Sequence, residues 1–495
     1  MMKRLLAALL AIAMLGLSLT GCYTTRRVDQ TSSEDTADLS SSEIITVSDD
    51  GSDEDGTSDS ENSLGETSDT SGDNTTSHRQ TTSTTTSTTT SGGNNNITSS
   101  DPKPDPPGPV NSNPYLTFDK FYSYGARHIE RAAQDYWKNG YMIERIGESS
   151  RSTLWPYTIY VEAVGERLDA DPNNQAVRNE YIKCLNTFEI YRHQRNDGYL
   201  AYSSATTGSR GTGDRYYDDN AWVCIEFIHA YQRGFGQQWL EKAEGVAAFC
   251  YSGWDTGNAL GIPGGIFWME GSKNEKNACI NAPMAYAYAL LYEITKKSDY
   301  LDKAKQIYDW TKKYMMNPPV EGQQDKDDYL YYDRVELKNG QINWDRTARA
   351  YNVGNMISAG VKLYKLTGNK QYLTDAQLSA AAAYKRFGME IKRNGYDCYG
   401  FTTSDAPMDT WFNSNLLKAY LELYRVDKSA TNKKYVQSFQ TALAHACMVA
   451  QDERGYVAHN WKAIKEDNNA DMRGVGGTAR VLFMLAKWVK GYYDK

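Results

Sequence analysis

Two aspartates stand side by side in the stretch DRYYDDNAWVCIEF, which runs from residue 214 to residue 227. Hydrolysis of a glycosidic bond needs two carboxyl groups in unlike states, one ionised as nucleophile or base and one protonated as acid. Consecutive residues in a non-helical turn point in different directions, so Asp218 and Asp219 could flank one such bond. Their mutual repulsion would raise the pKa of one carboxyl, which is what a general acid at neutral pH requires.

The same pair also fits a purely structural role. Asp and Asn favour helix N-caps, and a carboxylate near a helix N-terminus is stabilised by about 0.3 to 1 kcal/mol. An apolar helical pattern begins directly after the pair, and Asn220 could supply the cap. Arg215 is the candidate partner that would compensate two adjacent negative charges. The local sequence alone leaves both interpretations open.

A repeated pattern indicates the elements that position these residues. LYEITKKSDYLDKA from Leu291 matches LYKLTGNKQYLTDA from Leu363, and AYQRGFGQQWLEKA and LYRVDKSATNKKYV follow the same pattern. Each copy is typical of an amphipathic helix, a short polar turn and a second helix. Short runs such as YLYYDRVEL are placed in loops between these units.

Units of about 60 to 70 residues would fit about six times into residues 115–495, and helical hairpins must stack to bury their apolar faces. The sequence therefore predicts an all-α fold, an (α/α)6 barrel or toroid of helical hairpins. An open solenoid is the alternative.

The segments between hairpins are rich in aromatic and amide side chains, and alternate helices would bring them together at one mouth. A cleft lined by Trp, Tyr, Asn and Asp suits sugars, whose C–H faces stack on aromatic rings while their hydroxyls bind polar groups. The alternative is that these rings fill a helical core, and for Trp222 both interpretations are open. The candidate substrate-binding residues are Tyr217, Asn220, Trp222, Trp268, Asn281, Tyr351, Asn352 and Trp411.

The N-terminal region predicts export. Residues 1–21 have the basic start and apolar run of a signal peptide, and the motif LTGC resembles a bacterial lipobox, so we expect lipidation of Cys22. An ordinary signal peptide is the alternative. Residues 22–114 are dominated by Ser, Thr, Asp, Glu and Gly, which predicts a disordered linker. We expect an exported protein, lipid-anchored to the cell membrane, with the domain of residues 115–495 displayed outside the cytoplasm.

Charge and metal-ligand patterns exclude several functions. The chain has a net charge of -8, but residues 23–114 contain 17 acidic and four basic residues, so the predicted domain is nearly neutral. That balance does not indicate the basic surface that a nucleic-acid-binding domain needs. The domain's six cysteines show no CxxC motif and favour buried free thiols over disulfides, and the histidines form no close ligand cluster. We expect a monomer without metal or cofactor.

Three segments resemble one enzyme family. YYDDNAWVCIEFIHAY is similar to the signature of glycoside hydrolase family 76, the bacterial endo-α-1,6-mannanases, and GGIFWME with NAPMAYAYALLYEIT and YNVGNMISAGVKLYKLTG resemble further family segments. The resemblance implies an (α/α)6 barrel. It also implies a retaining mechanism on α-mannan, with Asp218 as nucleophile and Asp219 as acid/base.

Other functions fit the same sequence features. A sugar acceptor could turn hydrolysis into transfer, which would make the protein a transglycosidase. Unsaturated-uronide hydrolases and sugar epimerases also use (α/α)6 folds, and a fold alone does not choose among them. A non-catalytic glycan-binding lipoprotein would keep the cleft without the chemistry.

Overall fold

The structure, a computed structural model, describes residues 116–316, 328–393, 396–400, 408–457, 461 and 470–495, without the side chains of residues 389–409. The predicted signal peptide, Cys22 and the linker lie outside the described residues. Within them the chain is mostly helical, with twelve α-helices. These are α1 Phe118–Asp135, α2 Leu154–Ala170, α3 Gln175–Thr187, α4 Tyr217–Gln232, α5 Gln237–Ser252, α6 Ala278–Thr295, α7 Ser298–Thr311, α8 Ala350–Thr367, α9 Lys370–Phe387, α10 Met408–Val426, α11 Ala430–Val449 and α12 Met472–Val489.

The four repeated motifs all fall on a turn between two helices. They join α4 to α5, α6 to α7, α8 to α9 and α10 to α11, so the predicted helical hairpins are confirmed. In two of these turns the chain leaves the first helix through a left-handed residue, Lys296 with φ 60° and Gly368 with φ 72°. This conformation lets the chain reverse within a few residues.

The helices divide into a buried set and a peripheral set. The even-numbered helices are buried on most faces, as in α6, where every residue from Ala278 to Leu291 is buried. Most odd-numbered helices bury one face, as in α7, whose buried residues are Ala304, Ile307, Tyr308, Trp310 and Thr311. Helix α11 is the exception, because every residue from Ser438 to Cys447 is buried. A helix that is apolar all round belongs inside a protein, whereas an amphipathic helix belongs at its surface.

The even-numbered helices contact one another in chain order. Each packs on the next from α2 to α12, and α12 also packs on α2. Each odd-numbered helix packs against an even-numbered one, and α1 packs mainly against α12. Among the described residues, no helix combines the length and apolar composition needed to cross a bilayer.

Short antiparallel strands occupy the connections between hairpins. They are β1 Trp137–Lys138, β2 Tyr141–Met142, β3 Thr206–Thr207, β4 Arg210–Gly211, β5 Glu275–Asn277, β6 Tyr332–Lys338, β7 Gln341–Ala348, β8 Met389–Arg393 and β9 Tyr396–Gly400. Strands β5, β6 and β7 form one sheet, and the others pair as hairpins.

The placement of YLYYDRVEL in a loop is wrong, because most of this run forms β6. Val335 pairs with Trp344 and Leu337 with Ile342 across the β6–β7 hairpin. The turn between the strands is Asn339-Gly340, and both residues have positive φ, 53° and 76°. Asn-Gly is the strongest short hairpin signal because it adopts this turn readily.

A buried histidine joins the first helix to the C-terminal part of the chain. His128 on α1 is 1% exposed, its Nδ1 lies 2.8 Å from the Tyr124 carbonyl oxygen, and its Nε2 accepts a hydrogen bond from the Val457 N–H. This network requires a neutral imidazole with its proton on Nδ1. Burial lowers the pKa of His128 to about 4.

We expect this histidine to make folding stability fall in acid. Its pKa in the folded protein lies below the value of about 6.5 in the unfolded chain, so the unfolded state binds a proton first as the pH drops. The contribution is complete above pH 6.5, and about 3 kcal/mol is lost by pH 4. Urea unfolding of wild type and His128→Leu between pH 7 and pH 4 measures this loss. The same pH slope in both proteins would contradict it.

The five cysteines whose side chains the structure describes are buried. They form no disulfide bond among themselves, so the prediction of buried thiols in place of disulfides is confirmed for Cys184, Cys224, Cys250, Cys279 and Cys447. The side chain of Cys398 lies outside the described residues.

Candidate active site

Asp218 and Asp219 lie in the first turn of α4, which begins at Tyr217. Their side chains are almost fully enclosed, with 1% and 4% of their surface exposed. The predicted non-helical turn is wrong, because both residues are helical. Successive residues of a helix are still about 100° apart around its axis, so the two carboxyl groups point in different directions.

Arg215 does not compensate the pair as predicted. Its buried guanidinium instead forms ion pairs with Asp197 and Glu270, and its Nε donates to Glu270 Oε2 at 2.7 Å. Arg215 therefore ties two loops together beside the N-terminus of α4. Other groups must therefore compensate the negative charge of the two aspartates.

Asp218 is surrounded by hydrogen-bond donors. Its Oδ2 accepts from the indole N–H of Trp268 at 3.0 Å and from the thiol of Cys279 at 3.4 Å. Its Oδ1 accepts from the backbone N–H of Asp219 at 3.0 Å. Burial raises the pKa of Asp218, while these donors oppose the rise. Donors of this kind favour the ionised carboxylate.

Asp219 has the opposite environment. Its Oδ1 is buried and has no hydrogen-bond partner among the described residues. Burial raises the pKa of Asp219 well above its usual range, and the negative charges of Asp218 and Glu144 raise it further. Such surroundings favour the protonated form of this carboxyl. The two neighbouring carboxyls thus differ in how readily each one ionises.

A cluster of aromatic rings brings together the N-terminal turns of four even-numbered helices. Trp411 on α10 lies 5.2 Å from Trp155, 4.8 Å from Trp222 and 5.5 Å from Tyr351 between ring centroids. Phe412 stacks on Tyr351 at 4.3 Å. All five residues are at least 95% buried, so their rings form an enclosed floor.

A buried polar network contacts the central ring of this floor. The indole N–H of Trp411 donates to Glu162 Oε2 at 2.8 Å, and the same oxygen accepts from Arg480 Nη1 at 3.1 Å. Arg480 also donates to Ser414 and Asn415 of α10. These bonds fix the orientation of Trp411 and neutralise the charge of buried Glu162.

The more exposed aromatic surface lies beside Asp218. Trp268 and Tyr216 are only partly buried, and their ring centroids are 4.7 Å apart. By contrast, Tyr217 is 5% exposed and packs on Phe249 of α5. Tyr217 was a candidate for substrate binding, but its ring lies against the outer helix. Trp268 and Tyr216 are therefore better placed to offer ring faces to a ligand.

The amide groups of Asn220 and Asn281 are used inside the protein. Asn220 accepts from the Tyr202 N–H and donates to the Tyr202 and Tyr216 carbonyls. Asn281 accepts from the Ile266 N–H and donates to the Ile266 and Asn277 carbonyls. Each asparagine follows the N-cap of its helix by four residues and holds a neighbouring loop. We assign both a positioning role in place of the predicted substrate contact.

Replacing Asn281 should destabilise the fold strongly. In Asn281→Ala the buried N–H and carbonyl of Ile266 lose their partners, which costs about 2 to 4 kcal/mol of unfolding free energy. Urea denaturation measures this loss. Asn179→Ala on the exposed side of α3 is the matched control and should change stability by less than about 0.5 kcal/mol. Equal effects of both substitutions would contradict the positioning role.

Asn352 retains an unused acceptor. Its Nδ2 donates to Asp333 Oδ1 at 3.4 Å, while its buried Oδ1 has no hydrogen-bond partner among the described residues. Asn355 lies one turn further along α8. Its buried Nδ2 also has no hydrogen-bond partner among the described residues. Such atoms can bind a sugar hydroxyl at little cost in lost protein contacts.

Sequence reasoning missed several residues of the site, including Tyr216, which directly precedes the predicted Tyr217. Trp155 is the one aromatic residue of SRSTLWP, a stretch before a predicted helix that could have identified it. Cys279 lies at the second position of α6, at the end that meets α4. Glu144 influences Asp219 from a connection between α1 and α2, and its sequence context carries no comparable signal.

One known protein family matches most of this chain. The sequence model described as Glycosyl hydrolase family 76 matches residues 123–482. No match was found among curated protein sequences.

Solved structures share the fold at low sequence identity. An α-mannanase of family 76 from Bacteroides thetaiotaomicron is 23% identical with a TM-score of 0.64, and the match covers 76% of this chain and 97% of that one. An inactive α-1,6-mannanase from Salegentibacter sp., in which two consecutive aspartates are replaced by asparagine, was solved with α-1,6-mannotriose. It is 20% identical with a TM-score of 0.60, covering 74% and 98%. A D-mannose isomerase is 16% identical with a TM-score of 0.55, covering 76% and 99%.

Proposed function

Because the chain belongs to glycosyl hydrolase family 76, we propose that it cleaves α-1,6-mannan with retention of anomeric configuration. Asp218 is the nucleophile and Asp219 the acid/base. The observation that carries this assignment is the unequal environment of the two carboxyls: three donors reach Asp218, and Asp219 keeps a buried oxygen without a partner among the described residues.

The first half of the reaction forms a covalent intermediate. Asp219 gives its proton to the glycosidic oxygen while an oxygen of Asp218 attacks the anomeric carbon, and the bond to the leaving sugar breaks. The negative charge of Asp218 is consumed as the ester forms, and Asp219 becomes the charged carboxylate. Transfer of one negative charge between neighbours keeps the total charge of the pair constant. In a buried site this avoids a new uncompensated ion.

The second half reverses the roles. Asp219, now ionised, takes a proton from water, and the resulting hydroxide oxygen bonds to the anomeric carbon as the ester to Asp218 breaks. Two inversions at one carbon give net retention. A sugar hydroxyl in place of water would yield a longer glycan, so transglycosylation is the alternative outcome of the same intermediate.

The surroundings of the pair support a sugar substrate. The partly exposed rings of Trp268 and Tyr216 can stack on a sugar face, and Asn352 Oδ1 can accept from a hydroxyl. The rings of Trp222, Tyr351 and Trp411 are buried. They belong to the floor and contribute to the shape of the site. The α-1,6 linkage is proposed from the Salegentibacter enzyme that was solved with α-1,6-mannotriose.

We also infer that the six even-numbered helices close into an (α/α)6 barrel around this site. Their contacts in chain order, together with the return contact of α12 to α2, support closure over an open solenoid. The site would then lie at the mouth formed by the N-termini of these helices. Export, lipid anchoring through Cys22, a linker over residues 22–114 and a monomeric state remain proposals from the sequence.

An epimerase or isomerase mechanism has less support. Paired histidines across the cavity would be expected, but His128 is enclosed between α1 and the Val457 segment, and His229 lies in the last turn of α4, far from its first turn. A non-catalytic glycan-binding protein would not need two carboxyls in unlike environments.

Product analysis tests the proposal. The purified protein is incubated with linear α-1,6-mannan, and early products are followed by chromatography and by NMR of the anomeric protons. We expect manno-oligosaccharides that appear first as the α-anomer, while β-1,4-mannan stays intact. Initial release of the β-anomer would overturn retention, and an intact α-1,6-mannan would overturn the substrate.

A further inference from the structure

We propose that Cys279 is a positioning residue of the reaction, whose thiol helps decide which carboxyl of the pair is ionised. The inference rests on the proposed function, since it assigns Cys279 a part in keeping Asp218 ready for attack. The observation that carries it is the contact of Cys279 Sγ with Asp218 Oδ2 at 3.4 Å. Both side chains are about 1% exposed.

The acceptor sets this thiol apart from others near α4. Cys224 donates to the Ala243 carbonyl and Cys250 to the Tyr217 carbonyl, both at 3.4 Å. These are contacts between a small apolar side chain and a neutral backbone, as expected of a buried cysteine. Cys279 instead faces a carboxylate, and a hydrogen bond to a charged acceptor is stronger than one to a neutral acceptor.

Cys279 and Trp268 act on the same oxygen and are held as one unit. Phe267 bridges to Lys276, the Trp268 N–H donates to the Glu275 carbonyl, and Asn281 binds both backbone groups of Ile266. The loop that carries Trp268 and the start of α6 that carries Cys279 therefore move together.

The same unit is joined to α4. The backbone N–H of Tyr217 donates to the Trp268 carbonyl at 2.9 Å, and Tyr216 bridges to Met269. Both donors are thus fixed relative to Asp218, the next residue along α4. A preorganised donor loses little entropy when it binds, which increases its effect on the carboxylate.

The donors matter because the two carboxyls are neighbours in a buried site. Without them, burial would disfavour the ionised form of Asp218 and Asp219 alike, and the shared proton could reside on either. Donors that reach only Asp218 place the negative charge there and leave the proton on Asp219. Cys279 supplies one of these donors without adding a charge of its own.

The test compares three variants by the pH dependence of kcat/KM on α-1,6-mannan. In Cys279→Ala, loss of the donor should move the acid limb up by about half to one pH unit, with a three- to tenfold loss of kcat/KM below that limb. Cys279→Ser keeps a donor of similar size, so its limb should stay within about 0.3 unit of the wild type. Cys224→Ala, a buried thiol on the α5 side of α4, is the control and should leave the limb unchanged.

Two results would overturn the inference. One is an unmoved acid limb in Cys279→Ala; the other is the same shift in Cys279→Ala and Cys279→Ser, which would indicate packing. If the wild type released no products, the proposed function would fail instead.

Urea unfolding of the same proteins between pH 4 and pH 8 needs no substrate and tests the contact in either case. The stability deficit of Cys279→Ala should shrink in acid as Asp218 becomes protonated, and a deficit independent of pH would contradict the contact.

Discussion

Replacing Asp218 with alanine should reduce hydrolysis of α-1,6-mannan by about 10^4-fold or more, because the covalent intermediate can no longer form. The loss should appear in kcat and not in KM, since Asp218 acts in the chemical step and the ring faces of Trp268 and Tyr216 remain. Steady-state kinetics on the polymer measure the change. Asp214→Ala is the matched control: Asp214 is exposed, lies four residues earlier and should keep activity within about twofold, as surface substitutions do.

Azide identifies the role of Asp218 more directly than the loss of rate. With a dinitrophenyl α-glycoside of a manno-oligosaccharide, azide can occupy the space left by the carboxylate in Asp218→Ala and attack the anomeric carbon. One inversion then gives the β-glycosyl azide. An α-azide from this variant, or wild-type turnover of mannan, would rule out Asp218 as the nucleophile.

Asp219→Ala should give the second largest effect, with a different dependence on the leaving group. Mannan has a poor leaving group that needs the proton of Asp219, so its hydrolysis should fall by about 10^2- to 10^4-fold. A dinitrophenyl glycoside needs no proton, so the first step should stay fast and the glycosyl-enzyme should accumulate. A burst of dinitrophenol followed by slow turnover is the expected observation.

The stereochemistry with azide separates this variant from the first. In Asp219→Ala azide attacks the intermediate on Asp218, and a second inversion yields the α-glycosyl azide, with faster turnover. If Asp219→Ala instead lost mannan and dinitrophenyl glycoside activity by the same factor, Asp219 would not be the acid. Opposite azide anomers from the two variants would fix both roles.

The helical hairpins could be predicted because their signal is local and repeated. Turns such as the one through Gly368 need a residue that tolerates positive φ, and they occur where the apolar periodicity breaks. The β6–β7 hairpin was missed although Asn339-Gly340 marks its turn. The charged and polar residues around that turn obscured a strand alternation that has few apolar pairs, such as Val335 with Trp344 and Leu337 with Ile342.

The aspartate pair was visible in the sequence, whereas its environment was not. The side-chain donors to Asp218 come from positions 50 and 61 residues later, at Trp268 and Cys279, and no local pattern records such a contact. Arg215 illustrates the same limit, since proximity in sequence suggested the wrong partner. Asn220 and Asn281 carry a local signal, four residues after each N-cap, but their backbone partners become evident only in three dimensions.

The attachment of α1 has a consequence for the order of assembly. Hydrogen bonds hold α1 and the residue that follows it: Arg127 binds Gln451, His128 binds Val457 and Tyr136 binds Ala470, over 324 to 334 residues of sequence. Domains generally begin to fold as the chain emerges from the ribosome, but contacts this distant cannot form until synthesis is nearly complete. Of the described helices, α1 is made first and is therefore among the last to find its partner, and a chain that stops before α12 leaves α1 with its main apolar face uncovered.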